Sequence, residues 1–144
     1  MPGEDQATLI ADFVGRRIWA VVGVSQNPTK FGYRIFRNLR EAGYRVYGVN
    51  PNAQQVDGQT IYPSLESLPE RPEVIDVVVP PAATEQVIQD CARLGLRRVW
   101  LQPGAESPAA VAYCRAHGIA VVYDACAMVE KKRWPVSRGL TVRE

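Results

Sequence analysis

Two parts of the 144-residue chain carry residue types and spacings that could do chemistry. The first is "GVSQNPTKFG", residues 23–32, which follows the apolar run "IWAVV" at residues 18–22. A glycine at the end of a strand lets a ligand approach the backbone closely. Ser25 adds a hydroxyl, and amides in such a turn can form an anion-binding concavity. A helix is expected to begin near Lys30 to Gly32. Its unpaired N–H groups and dipole suit a phosphate, and Lys30 and Arg34 add positive charge there. Arg37 follows Arg34 by one helical turn on the same face. The stretch is not the dinucleotide fingerprint, because Ser25 and Pro28 stand where its second and third glycines belong. Strand two also ends in Asn50-Pro51 rather than in a ribose-binding acid. The chain holds no G-K-[ST] of a P-loop.

The second is Cys126 in "YDACAM", a thiol placed after the last clear strand. Its neighbour Asp124 carries the wrong charge to activate a thiol, and no histidine is expected nearby. The single histidine, His117, precedes the glycine that ends a helix, where it caps carbonyls. One histidine leaves no multi-histidine metal site. Asp76, inside "VIDVVV", reads as lying near the start of a strand or bonding locally. No catalytic set and no metal site are assigned.

These residues need a scaffold, and the sequence supplies one. "TLIADFVGRR" places Leu9, Ile10, Phe13 and Val14 at helical spacing. "IWAVVGV" and "VIDVVVPP" are continuous apolar runs, as in strands buried on both faces. "GYRIFRNLREAG" is an amphipathic helix stopped at Gly43, and "YRVYGVN" is a second strand. A turn-rich connection holds "TIY", a short strand, and "SLESL", one helical turn. "TEQVIQDCARLGL" is a helix with Thr84 as N-cap, and "SPAAVAYCRAHG" one with Ser107 as N-cap and Pro108 next. "RRVWLQPG" and "IAVVYDA" complete the strands. This alternation implies one α/β domain over residues 1–144, with a Rossmann-like, doubly wound, mainly parallel sheet of five to six strands. Residues 135–144 form a weakly patterned tail. Ligands of such sheets bind at the carboxyl ends of the strands.

Composition narrows the class further. A net charge of +2 argues against nucleic acid or anionic membranes as partners. Three widely spaced cysteines without a C-x-x-C pair fit a reducing compartment. The opening "MPGEDQATLI" has acids where a signal peptide needs bases, and no run reaches the length of a membrane span. A cytoplasmic protein is expected.

Several of these segments recur together in a known family. "VVGVSQNPTKFGYRIFRNLREAGYRVYGVNPNAQQVDGQTIYPSLESLPERPEVIDVVV", with "VWLQPGAE" and "VVYDACAMVEKKRW", resembles the small single-domain CoA-binding proteins, relatives of the CoA-binding domain of the succinyl-CoA synthetase α-subunit. The resemblance spans about residues 7–134. It implies a grip on coenzyme A or an acyl-CoA through its phosphates and adenine. Gly23 and Ser25 would meet the ligand, Gly32, Tyr33 and Arg34 would stand at the phosphate-facing helix start, and Asn50 and Pro51 would approach from strand two. Val79, Pro80 and Pro81 would lie by the adenine, and Gln102, Pro103 and Gly104 would form a further turn. The segment "VVVPPAAT" departs from relatives that tend to carry Phe-Arg there. The reading is therefore a non-catalytic CoA-binding module, acting alone or with a partner subunit. The alternatives are a nucleotide-dependent enzyme or ligase component using Cys126, and a redox protein whose Cys126 forms a mixed disulfide with CoA.

Overall fold

The computed structural model describes residues 5–52 and 54–127. The expected tail at 135–144 lies outside the described residues. Within them the elements are α1 (Gln6–Val14), β1 (Ile18–Val22), α2 (Phe31–Glu41), β2 (Arg45–Val49), β3 (Gln55–Val56), β4 (Gln59–Tyr62), β5 (Val74–Val77), α3 (Pro81–Leu94), β6 (Arg98–Leu101), α4 (Pro108–Ala116) and β7 (Ala120–Val122), with a single 3-10 turn at Leu65–Ser67. Local chemistry sets most of the ends. Asp5 caps α1 by accepting the Ala7 amide at 3.1 Å, and Ser107 caps α4 by accepting that of Ala110 at 3.0 Å. The expected cap at Thr84 is displaced. The cap position lies four residues earlier, at Pro80, with Pro81 opening the first turn of α3, where a missing N–H costs nothing. Thr84 lies inside that helix, buried.

The strands form one sheet in the order β3-β4-β2-β1-β5-β6-β7, parallel at every junction except β3–β4. Six parallel strands match the expected doubly wound sheet. The seventh, β3, is a two-residue antiparallel arm that apolar patterning does not register. It exists because Asp57 and Gly58 both take positive φ, 53° and 75°, the backbone of a tight hairpin turn.

Burial on both faces explains the apolar strand runs. On one face Trp19, Val21, Val74 and Trp100 meet the apolar stripes of α1 (Leu9, Ile10, Phe13, Val14) and α2 (Ile35, Phe36, Leu39). On the other, Ala20, Ile75, Val77, Val99 and Leu101 meet Ile88 and Cys91 of α3 and Ala110 and Cys114 of α4. Trp19 lies 5.8 Å from Trp100 and 5.3 Å from Tyr44, ring centre to ring centre. Three buried aromatic polar groups find carbonyls. The indole of Trp19 donates to Arg16, that of Trp100 to Ala125, and the Tyr44 hydroxyl to Val14. No helix among the described residues is long and apolar enough to cross a membrane.

One side chain finishes the sheet. Gln6 donates to the Val121 carbonyl at 2.9 Å and accepts the Tyr123 amide at 3.1 Å, so its amide spans the open side of β7. Gln6→Ala returns both groups to water and is expected to cost about 1 kcal/mol, measured as a shift in the urea midpoint at constant slope.

Candidate functional site

Helix α2 leads from β1 to β2 on one side of β1, while β5 lies on its other side. The carboxyl ends of β1 and β5 therefore flank the point where strand order reverses, the place where open α/β sheets bind ligands. Bonds from the Gly23 amide to Val49, from Val78 to Val22 and from Gln102 to Val77, all 2.9–3.1 Å, extend the sheet slightly past its strands and fix these ends together.

Gly23 has φ 110°, and a Cβ there would sit 3.0 Å from Val78 and Val79. Gly32 is more constrained: a Cβ there would lie 2.0 Å from the Gly23 carbonyl oxygen. The first turn of α2 thus rests directly on the end of β1. Gly32 does the close-packing work of the third glycine of a dinucleotide fingerprint, from a position several residues later. Helix α2 has no side-chain cap at Lys30, so its first amides are left for another acceptor. The intervening loop is held by its own side chains. Ser25 Oγ accepts the Asn27 amide at 3.0 Å, Asn27 Oδ1 accepts that of Thr29 at 2.9 Å, and Gln26 donates to the Gln55 carbonyl at 3.1 Å.

At this end of the sheet Gly23 and Ser25 lie in the turn after β1, while Lys30 caps and Arg34 follows the start of α2, both exposed. Neither forms an ion pair or side-chain hydrogen bond among the described residues, whereas Arg37 is paired with Glu41 at 2.9 Å. A cleft of about 360 Å³ opens beside it, lined by Phe31, residues 78–81 after β5 and residues 103–105 after β6. Val79, Pro80 and Gly104 therefore line a largely apolar cleft, as do Pro81 and Pro103. Phe31, Val78 and Ala105 were missed in the sequence. A large apolar residue opening a helix beside a glycine turn was the available signal for Phe31. Two other clefts, of about 330 and 450 Å³, lie at the amino ends of the strands. Charged residues line them, and several are already bound: Arg16 to Asp12, and Glu73 to the amides of Arg17 and Ile18.

Three expected contact residues turn inward instead. The Tyr33 ring is buried, and its hydroxyl donates to Asp57 at 3.0 Å, tying α2 to the β3–β4 turn. Asn50 donates to the Val24 carbonyl at 2.7 Å and accepts the Asn52 amide at 2.8 Å, so its side chain braces the glycine turn from strand two; Pro51 beside it is exposed. Gln102 is fully buried. Its Nε2 donates to Asp76 Oδ1, and its Oε1 accepts the Ala127 amide at 3.3 Å.

Asp76 departs most from expectation. It is the third residue of β5, fully buried on the tryptophan face, and its partner Gln102 is 26 residues away. Burial pushes its carboxyl up to about 8, and the Gln102 hydrogen bond offsets only part of that rise. Burial likewise pushes the thiols of Cys91 and Cys114 up to about 12, which leaves them inert; Cys126 is half-buried. His117 accepts its expected role, bonding the Tyr113 carbonyl through Nδ1 at 2.9 Å and stacking on the Tyr113 ring. The described residues hold no cluster of three or more His, Cys, Asp or Glu side chains suited to a metal.

Residues 17–132 match the CoA binding domain. The chain belongs to that family. Among relatives of the CoA-binding domain, it is 35% identical over 88 residues to the α-subunit of an ADP-forming acetate–CoA ligase II of Pyrococcus furiosus, covering 60% of this chain and 19% of that one. The chain thus spans about a fifth or less of the length of the curated ligase relatives it matches. Two solved structures are similar over nearly their whole length. A conserved hypothetical protein from Pyrococcus furiosus is 38% identical with a TM-score of 0.76, covering 79% of this chain and 98% of that one. A Thermus thermophilus protein is 35% identical with a TM-score of 0.80, covering 90% and 98%.

Two outcomes are expected of this CoA-binding domain. Gly32→Ala drives a methyl into the Gly23 carbonyl and should lower unfolding free energy by at least about 2 kcal/mol in a urea titration. Asp76 keeps a proton in the folded chain that the unfolded chain, with a carboxyl near 3.9, has released. Stability therefore falls as pH rises from about 4 to 8 and levels off above that window. Asp76→Asn should remove this slope, so that thermal melts of variant and parent converge near pH 4 and separate by pH 8, the variant melting higher.

Proposed function

We propose that this chain binds coenzyme A or an acyl-CoA at the carboxyl ends of β1, β5 and β6, and performs no chemistry of its own. The observation that carries the reading is the uncapped start of α2, seated on Gly23 by the Gly32 contact and flanked by Lys30 and Arg34. A pyrophosphate offers several acceptors to those amides and negative charge to the helix dipole and both cations. The neighbouring apolar cleft suits a flat, weakly polar group such as adenine. Membership of the CoA-binding domain family and the likeness to an acetate–CoA ligase subunit support the same ligand class. A partner subunit that supplies catalysis belongs to this reading, as does a cytoplasmic location.

The competing enzyme and mixed-disulfide readings both depend on Cys126. Replacing it with serine separates them: in the binding-module reading, CoA affinity survives Cys126→Ser, and intact mass after oxidation with CoA shows no adduct that reductant removes. Titration calorimetry tests the grip itself. Free CoA at 100 times Kd should stabilise the fold by about 2.7 kcal/mol. Lys30→Ala and Arg34→Ala should each weaken CoA binding about three- to tenfold at low salt, with the loss shrinking as salt rises. No thermal shift at millimolar CoA, beside a clear shift with NAD or AMP, overturns the proposal.

A further inference from the structure

Arginines are plentiful in this chain, but the sheet carries many of them at one end. Arg16 and Arg17 precede β1, Arg45 opens β2, Arg71 precedes β5, and Arg97 and Arg98 stand at the start of β6. The carboxyl ends are different. There Lys30 and Arg34 stand at the start of α2, both exposed. The turn after β2, residues 50–52, holds no charged side chain, and neither do residues 78–81 after β5 or residues 103–105 after β6. The first charged residue past β6 is an acid, Glu106, and the first past β7 is another, Asp124.

The backbone of the cleft is short of donors as well. Pro80, Pro81 and Pro103 have no N–H. The Val78 amide donates to the Val22 carbonyl at 2.9 Å, that of Ala105 to the Gln102 carbonyl at 2.8 Å, and that of Gly104 to the Glu106 carboxylate at 3.0 Å. Of the lining residues after β5 and β6, Val79 alone keeps an amide without a partner among the described residues. The start of α3 adds little, because the Ala83 and Thr84 amides turn back to the Pro80 carbonyl at 2.9 and 3.0 Å.

We propose that the site gains nothing from the 3′-phosphate of coenzyme A and takes the dephospho form at least as readily, with Glu106 as the residue that sets this preference. The inference rests on the binding reading above, with adenine in the apolar cleft and the pyrophosphate at the start of α2. Lys30 and Arg34 then balance the pyrophosphate. A phosphate monoester brings a further charge of about −1.5 to −2 at pH 7. It hangs from the ribose that carries the base, so with adenine in the cleft it stands at the cleft's rim. Glu106 is held at that rim by the amide of Gly104, a lining residue. A dianion there meets a carboxylate and walls without a cation, and like charges repel. Glu106 is only half-buried, so salt screens this repulsion.

Titration calorimetry with CoA and with 3′-dephospho-CoA, each at low and at high salt, tests the inference. At low salt the dephospho form should bind about two- to fivefold more tightly than CoA, and the gap should close as salt rises. Glu106→Gln keeps an acceptor for the Gly104 amide and removes the charge. It should tighten CoA about two- to fivefold at low salt and leave dephospho-CoA unchanged. The comparison of the two ligands in the parent chain needs no variant. CoA binding about threefold or more tightly than dephospho-CoA overturns the inference and leaves the CoA-binding reading in place. An equal effect of Glu106→Gln on both ligands does the same. Binding of neither ligand overturns both.

Discussion

The carbonyl of Gly23 and the α-carbon of Gly32 touch, and most of the site follows from that contact. With no side chain between them, the amino end of α2 sits on the end of β1 instead of a side chain's width away. Its unpaired amides then open onto the point where strand order reverses. Everything near the contact is arranged to keep it: Asn50 reaches across from strand two to hold Val24, Gln26 holds the hairpin arm, and Tyr33 holds the turn of that arm. These polar side chains are structural members.

The division of labour at this end of the sheet is sharp. Asn50, Ser25, Gln102 and Thr84 are committed to neighbouring backbone, whereas Lys30 and Arg34 remain exposed and the cleft beyond them is apolar. The exposed cations and the apolar cleft are therefore separate surfaces near the start of α2.

Apolar runs and helix-stopping glycines gave away the elements because burial and turn geometry leave a local imprint. "IWAVV" can only be a strand covered on both sides, and Gly95 closes α3 in the left-handed conformation its position implied. Gly23 and Gly32 stood out for a related reason, although the packing role of Gly32 depended on a carbonyl nine residues earlier. Gln102 and Asp76 were harder to read. A polar residue after a strand looks the same whether it faces a ligand or a neighbour, and the partner that decides is 26 residues distant. A lone aspartate in an apolar run resembles a strand boundary until its burial is known. Thr84 misled because threonine suits a helix start, yet the prolines before it already supplied one, and its hydroxyl serves Ala105 instead.

Gln6 bridges the outer side of β7 with one amide, so among the described residues the sheet ends in a side chain. A row of open backbone groups is a template on which another chain can grow, and here two of those groups are taken up before any other strand could dock. The opposite border is a two-residue arm, too short to recruit a neighbour by main-chain pairing. Among the described residues, therefore, neither border of the sheet presents a long open strand to another copy of the domain.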